Sequence, residues 1–205
     1  MVINWYGEGC FKVQTGGLTL LSDPFDSSTG LTPARGKNEI TIKTLSAWPL
    51  EDFEGEGFVA RAGGEYEVQE VLISGFPLVN ESTEKFLKTV YLVTAEEMKL
   101  VFLGHMSEMP EPSLLGELKN PDILFMPAGG KPFLNQEAAT KLIKQIGPKI
   151  VVASFFKTPG LKRASGDWKE LADEMGQKPE VAEKLTVRKK DTQEQKGTKL
   201  VILKI

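Results

Sequence analysis

The chain has 205 residues, 40% of them hydrophobic and 26% charged, a balance that fits a folded globular protein and excludes a disordered or fibrous one. A net charge of −3 and an isoelectric point near 5.4 argue against a nucleic-acid-binding surface, which draws its affinity from clustered Lys and Arg. The single cysteine, Cys10, excludes an intrachain disulfide, and the single histidine, His105, excludes any metal site built from two or three imidazoles of one copy.

Val2 to Tyr6 reads as a short strand, followed by a second at Cys10 to Gln14. Thr15-Gly16-Gly17 is a hairpin signal before Leu18 to Leu21. Cys10 sits in the apolar stretch GCFKV, which predicts a buried thiol rather than a reactive one. Pro24 cannot donate to a ladder and steers Asp23 away from helix, so SDPF ends the third strand and 26–38 follows as an exposed loop. Glu39 to Thr44 alternates as a strand; Phe58 to Ala60 and Tyr66 to Ile73 read as two more, punctuated by Gly63-Gly64. Thr89 to Thr94 and Leu100 to Leu103 form a hairpin around Glu96-Glu97.

The second half changes character. Asp122 to Met126 is a continuous apolar run, the pattern of a strand buried on both faces. A helix then begins at Asn135 as N-cap, carries Glu137 in its first turn, stripes Ala138, Leu142, Ile143 and Ile146 on one face, and stops at Gly147-Pro148. Ile150 to Val152 is another buried strand. A second helix is expected from Asp167, with Glu170 completing a capping box and Gly176 closing it. The basic run Arg188 to Lys190, followed by Asp191, reads as a solvated strand end or turn. Leu185 to Arg188 and Lys199 to Ile205 are expected as terminal strands. With no repeat or linker, residues 1–205 are expected to form one domain. No apolar run approaches the ~20 residues of a membrane span, and MVINWYGEG lacks the features of a secretion signal, so the cytoplasm is the expected location.

Several segments in order resemble the metallo-β-lactamase fold superfamily, in particular its short bacterial and archaeal Zn-dependent hydrolase branch, which is distantly similar to the L-ascorbate-6-phosphate lactonases. They are INWYGEGCFKVQTGGLTLLSDPF, AGGEYEVQEVLISGFP and PDILFMPAGGKPFLNQEAATKLIKQIGPKIVV. The resemblance implies an α/β (α+β) fold: an αββα sandwich of two mixed sheets with helices outside and a metal site along one edge. Laying the superfamily's His-x-His-x-Asp-His loop on TLSAWPLEDFEG puts Leu45, Ala47, Pro49 and Leu50 at the ligand positions. His105 falls where the bridging aspartate usually stands, Phe155 near the last histidine, and Gly7-Glu8 at the N-terminal Gly-His or Gly-Gln step. Leu, Ala and Phe have no lone pair for Zn²⁺, so water would keep its bulk pKa near 15.7 rather than the roughly 7 of a zinc-bound one.

The expectation is therefore the family fold with its chemistry removed: a non-catalytic homologue acting by binding or by homo- or hetero-oligomeric assembly, with no cofactor. The alternative is a metal-dependent hydrolase of a small phosphorylated or ester substrate, using Zn, Mn or Mg at a non-standard site built on His105, Asp23 and Glu8. A site shared across a dimer, with one His105 from each copy, is the poorest of the three. His105 is otherwise a satisfied polar residue at a strand end, and Asp23 a turn former. Glu8, Glu65 and Glu67 have hard oxygens suited to Mg²⁺ or Ca²⁺, though strand carboxylates commonly face solvent. Gly129 and Gly130, between a buried strand and a helix, offer backbone N–H groups to an anion, or simply make a tight turn. Ser107 lies two residues from His105 as a distant nucleophile candidate. Trp48 and Leu50 are expected to fill the former metal pocket, where a buried Leu contributes about 1.5–3 kcal/mol.

Overall fold

The computed structural model describes residues 1–51 and 57–205, so residues 52–55 of the TLSAWPLEDFEG stretch lie outside it. The first half supplies strands β1 (Val2–Gly7), β2 (Cys10–Thr15), β3 (Leu18–Ser22), β4 (Ile40–Ile42), β5 (Leu45–Ala47), β6 (Phe58–Ala60), β7 (Gly64–Val68), β8 (Val71–Pro77), β9 (Phe86–Ala95) and β10 (Met98–Phe102). The second half alternates: α1 (Pro112–Glu117), β11 (Ile123–Pro127), α2 (Gln136–Ile146), β12 (Ile150–Ser154) and α3 (Lys169–Met175). It then closes with β13 (Glu180–Ala182), β14 (Lys184–Thr186), α4 (Lys189–Glu194) and β15 (Lys199–Leu203).

Two mixed sheets result. One runs β14-β1-β2-β3-β4-β6, antiparallel from β14 to β3 and parallel onward. The other runs β13-β15-β12-β11-β10-β9-β8-β7, parallel as far as β10 and antiparallel beyond it. The sheets meet through aromatic side chains: Phe11 of the first lies 4.5 Å, centroid to centroid, from Phe125 of the second, which stacks on Phe102 at 4.2 Å. β11 and β12 are buried along their whole length, as their unbroken apolar runs require of strands covered on both faces. Helices pack outside. α2 buries Ala139, Leu142, Ile143 and Ile146; Asn135 caps it by accepting from Ala138 N, and Gly147 ends it in the left-handed region. This is the expected αββα-like sandwich.

Four local expectations need correction. Tyr66 to Ile73 is not one strand: it folds back at Gln69-Glu70, with Gln69 at φ 55°, so β7 and β8 pair as a hairpin. The strand expected over Glu39 to Thr44 stops at Ile42, and Leu45–Ala47 crosses over to pair with β9 of the other sheet. The second helix starts at Lys169 with Trp168 as its N-cap, and Asp167 accepts from Lys169 N at 3.0 Å rather than forming a capping box. Arg188 ends no strand; it caps α4, whose Asp191 side chain returns to the Arg188 backbone. α1, α4, β5 and β13 had no clear periodic signal, being three to six residues long.

The arrangement has one consequence for the site. Asp23 follows β3, Lys43 and Thr44 follow β4, His105 follows β10 and Phe155 follows β12. These carboxyl-terminal strand ends lie along one edge of the sandwich, where the β1–β2 turn adds Glu8 and the segment after β11 adds Pro132 and Phe133.

Candidate functional site

A cleft of about 820 Å³ opens at that edge. Phe25, Leu45, Phe86, Phe133 and Phe155 form much of its wall, and the titratable groups are Glu8, Asp23, Lys43, Glu81, Lys88, His105 and Arg163. The volume falls within the ordinary range of small-molecule sites.

At its base lies a three-residue relay. Asp23 Oδ1 accepts from Thr44 N at 2.7 Å, Asp23 Oδ2 lies 2.6 Å from Thr44 Oγ1, and Thr44 Oγ1 lies 2.7 Å from His105 Nδ1. The direct His105 Nδ1 to Asp23 Oδ2 separation is 3.9 Å, so the hydroxyl is the link. Close approach is permitted by Gly104: at φ 55° it turns the chain out of β10, and any Cβ there would collide with the Thr44 side chain. Burial pushes the Asp23 carboxyl above its ordinary 3.8, against the opposing pull of His105 and of the Thr44 donors. Burial pushes His105 below 6.5, against the attraction of Asp23. Thr44 has one hydroxyl proton to give. When the relay holds a proton on Asp23 or on both ring nitrogens, Nε2 carries a hydrogen; with Asp23 ionised and Nδ1–H donating to Thr44, Nε2 presents its lone pair. Nε2 has no partner among the described residues.

The other carboxylates are engaged. Glu8 receives a fork from Arg163, Nε to Oε1 at 2.9 Å and Nη2 to Oε2 at 2.7 Å, while Nη2 also donates to Phe155 O at 3.0 Å. The Arg163 guanidinium sits 5.2 Å from the centre of the Phe133 ring, a cation–π contact. Glu81 Oε2 accepts from Lys88 at 2.8 Å and from Ser107 N and Oγ at 2.7 and 2.5 Å. Burial raises the Glu81 carboxyl, but the Lys88 and Ser107 donors outweigh it and hold the group below 4.5. Lys43, half-buried, has no ion-pair partner among the described residues.

Of the sequence candidates, His105, Asp23 and Glu8 are brought together. Glu65 and Glu67 lie exposed on β7, away from the cleft. Gly129 and Gly130 are not among the residues that line it. Gly129 instead lies against Phe155 O and Ser165 Oγ, where a side chain would not fit, and accepts from Gly166 N through its carbonyl. Ser107 binds Glu81 and Lys88. Trp48 does not fill the site, being 47% exposed, and neither it nor Leu50 lines the cleft. Pairing of β5 with β9 holds Leu45 at the cleft wall, and Trp48 follows it with its N–H on Lys85 O. Phe155 does enter the site, edge-on to His105 at 4.9 Å and against Phe133 at 4.4 Å. Its φ of 54° is a conformation a bulky residue seldom adopts; Glu8 and Asp23 share that left-handed tendency at 50° and 37°. Thr44, Arg163 and Lys43 escaped the sequence reading, because a Thr or Lys at a strand end and an Arg in a loop carry no local signature.

A zinc ion needs about four N, S or O donors, three of them from protein in a catalytic site. Asp23 spends both oxygens on Thr44, Glu8 spends both on Arg163, and His105 has only Nε2 uncommitted. Leu45 and Phe155 stand where the resemblance would require histidines. No group of three or more His, Cys, Asp or Glu side chains among the described residues is placed to hold a metal ion. The residues present do not fit one. No helix among them is long and apolar enough to cross a membrane.

Comparison with known proteins agrees with this fold. A UPF0173 protein of Pyrococcus abyssi is 26% identical over 196 residues, covering 83% of this chain and 90% of its own length. A UPF0173 metal-dependent hydrolase of Methanopyrus kandleri is 22% identical over 219 residues, covering 88% and 95%. The crystal structure of a Thermotoga maritima protein, assigned as a Zn-dependent hydrolase of the metallo-β-lactamase superfamily, matches with a TM-score of 0.81 over 100% of both chains at 21% identity, a likeness of fold. The β-lactamase superfamily domain matches residues 2–154. With that match spanning most of its length and the two-sheet sandwich around it, the chain belongs to the β-lactamase superfamily, with the metallo-β-lactamase fold and a degenerate metal site.

Proposed function

We propose that this protein is a non-catalytic member of its superfamily that binds a small molecule in the edge cleft, as one domain and without a metal. The carrying observation is the commitment of donors: the Asp23 and Glu8 carboxylates are each engaged by this chain's own Thr44 or Arg163. A pre-formed cleft with a largely aromatic wall and a few convergent polar groups is the general form of a binding site. Without a bound metal, water in that cleft keeps its weak acidity and is a poor nucleophile.

A second reading draws on the relatives called metal-dependent hydrolases and on the uncommitted Nε2 of His105. In it, Glu8 or Asp23 releases its partner to join His105 around a divalent ion, and the substrate is a small phosphorylated or ester compound. Elemental analysis of protein purified without chelator, followed by titration with Zn²⁺, Mn²⁺ and Mg²⁺ and a hydrolysis screen, separates the two. The binding reading expects less than 0.1 equivalent of metal (about the level of adventitious carry-over) and no turnover that depends on His105. One equivalent of metal, lost together with hydrolysis in His105→Ala, selects the second.

A further inference from the structure

Within the cleft the charges sort unevenly. Glu8 is neutralised by Arg163 at 2.7 Å and Glu81 by Lys88 at 2.8 Å. Asp23 faces Thr44 and His105 rather than a lysine or arginine within ion-pair distance. Lys43 remains, lining the same cleft with no ion-pair partner among the described residues. His105 adds Nε2, a ring nitrogen without a partner among the described residues. Around these two groups stand Phe25, Leu45, Phe86, Phe133 and Phe155, and the last two lie in contact with each other, their ring centres 4.4 Å apart.

Lys43 feels the charge of Asp23 but makes no ion pair with it among the described residues, and such a cation beside an aromatic wall selects on two properties at once. A ligand with a single negative charge satisfies Lys43 without forcing Glu8 or Glu81 out of its ion pair. A dianion such as a phosphate monoester brings a second charge that would have to pull Lys88 or Arg163 away from a buried carboxylate, leaving that carboxylate unpaired at substantial cost. An apolar or aromatic body gains from burial against the phenylalanines, a return that a small hydrophilic anion does not obtain. A cationic ligand would meet Lys43 as a like charge in a partly desolvated space.

We propose that the edge cleft binds a monocarboxylate carrying an aromatic or branched apolar group, with the carboxylate held by Lys43 and accepting from His105 Nε2–H, the relay state in which Asp23 or the ring keeps the extra proton, and the apolar group against Phe133 and Phe155. This rests on the binding reading above and names its ligand class. It gives Lys43 a role as the charge-reading residue of the site.

The test uses the full chain and four probes in isothermal titration: 4-phenylbutyrate, its neutral amide, 4-phenylbutylamine and phenyl phosphate. The expected order places the acid first, with the amide, the amine and the phosphate each weaker by at least about ten-fold, the scale of one partly desolvated charge contact. Lys43→Met keeps the aliphatic stem and should lose about ten-fold for the acid while leaving the amide unchanged; Lys43→Arg should retain the acid. Amide shifts on addition of the acid should centre on residues 43–45, 105, 133 and 155. Equal affinity for acid and amide overturns the proposal, as does preference for the amine or phosphate, or unchanged acid binding in Lys43→Met. Because the probe comparison needs no variant, it stands even if a substitution unfolds the chain. If none of the four binds, this inference fails while the metal-free reading stands; one equivalent of bound metal with His105-dependent hydrolysis removes that reading itself.

Discussion

Two aspartates at strand ends show how one residue type serves opposite ends. Asp122, at the start of β11, accepts from Lys99 N at 2.8 Å, from Thr192 Oγ1 at 2.5 Å and from Lys189 Nζ at 2.9 Å. These contacts fasten α4 to the sheet. Asp23 also accepts from a backbone N–H and a threonine hydroxyl, but its chain of contacts continues to an imidazole that opens into a cleft. The protonation leanings differ in sign. Burial pushes Asp122 up, yet Thr192, Lys99 N and Lys189 outweigh burial and hold it below 3.8. At Asp23 burial wins over His105 and Thr44, and the group is held above 3.8. A direct lysine contact makes a strut of the first; its absence leaves the second able to keep or shed a proton. That difference separates a structural polar network from one available for function.

The comparison can be broken in order of effect. Asp122→Ala removes the acceptor shared by Lys99 N, Thr192 and Lys189, and should cost about 3 kcal/mol in denaturant unfolding, since charged hydrogen bonds contribute about 1.5–3 kcal/mol each and buried donors are left unmet. A loss under about 1 kcal/mol would mean that α4 is held elsewhere. Asp23→Asn should change stability by less than about 1 kcal/mol at a pH where Asp23 keeps its proton, because the amide reproduces the hydrogen-bonding pattern of a protonated carboxyl.

A finer distinction lies in how stability responds to acid. The folded pKa of Asp122 is depressed, so its contribution is present above 3.8 and is lost as pH falls through the folded value. The folded pKa of Asp23 is raised, so between 3.8 and that value the native state binds the extra proton, and stability falls as pH rises through the window. Unfolding measured from pH 3 upward should therefore show Asp23→Asn removing a downward trend, and Asp122→Asn removing an upward one. Identical profiles for the two variants would erase the contrast.

The smallest expected effect concerns Cys10, close enough to Asp23 to feel its charge. Burial, with Asp23 adding to it, pushes the thiol up to about 12. A disulfide reagent at pH 8 should leave the native protein unlabelled and label it in denaturant, because the thiolate is the reactive form. Rapid native labelling would show that the sandwich edge opens far more than its packing indicates.

Legibility in the sequence followed the length of the signal. α2 was readable from Asn135 to Gly147 because cap, apolar stripe and stop all agree over three turns. β11 and β12 were readable as buried strands, and the β9–β10 hairpin around Glu96-Glu97 was placed correctly, with both glutamates at positive φ. The break at Gln69-Glu70 was missed because neither residue is a usual turn former. The crossing of β5 was missed because a three-residue strand pairing between sheets has no period. At the site, His105, Asp23 and Glu8 were named, but not their partners Thr44 and Arg163, which lie 61 and 155 residues away from the groups they bind. The expectation that Trp48 would close the old pocket failed because Trp48 lies just past β5, its backbone N–H bound to Lys85 O, with its side chain 47% exposed.

What the amino-acid sequence determined by itself was an inventory: one imidazole, one thiol, and aliphatic or aromatic side chains where a metal-binding relative would carry histidines. Donor atoms that are not encoded cannot be created by folding, so that conclusion needed no coordinates. Only the tertiary structure decided that the cleft persists, that Glu8 and Glu81 are already paired, and that Lys43 makes no ion pair among the described residues. Pairing depends on distances of a few ångströms between residues far apart in the chain, and these are set by how the two sheets meet at their edge.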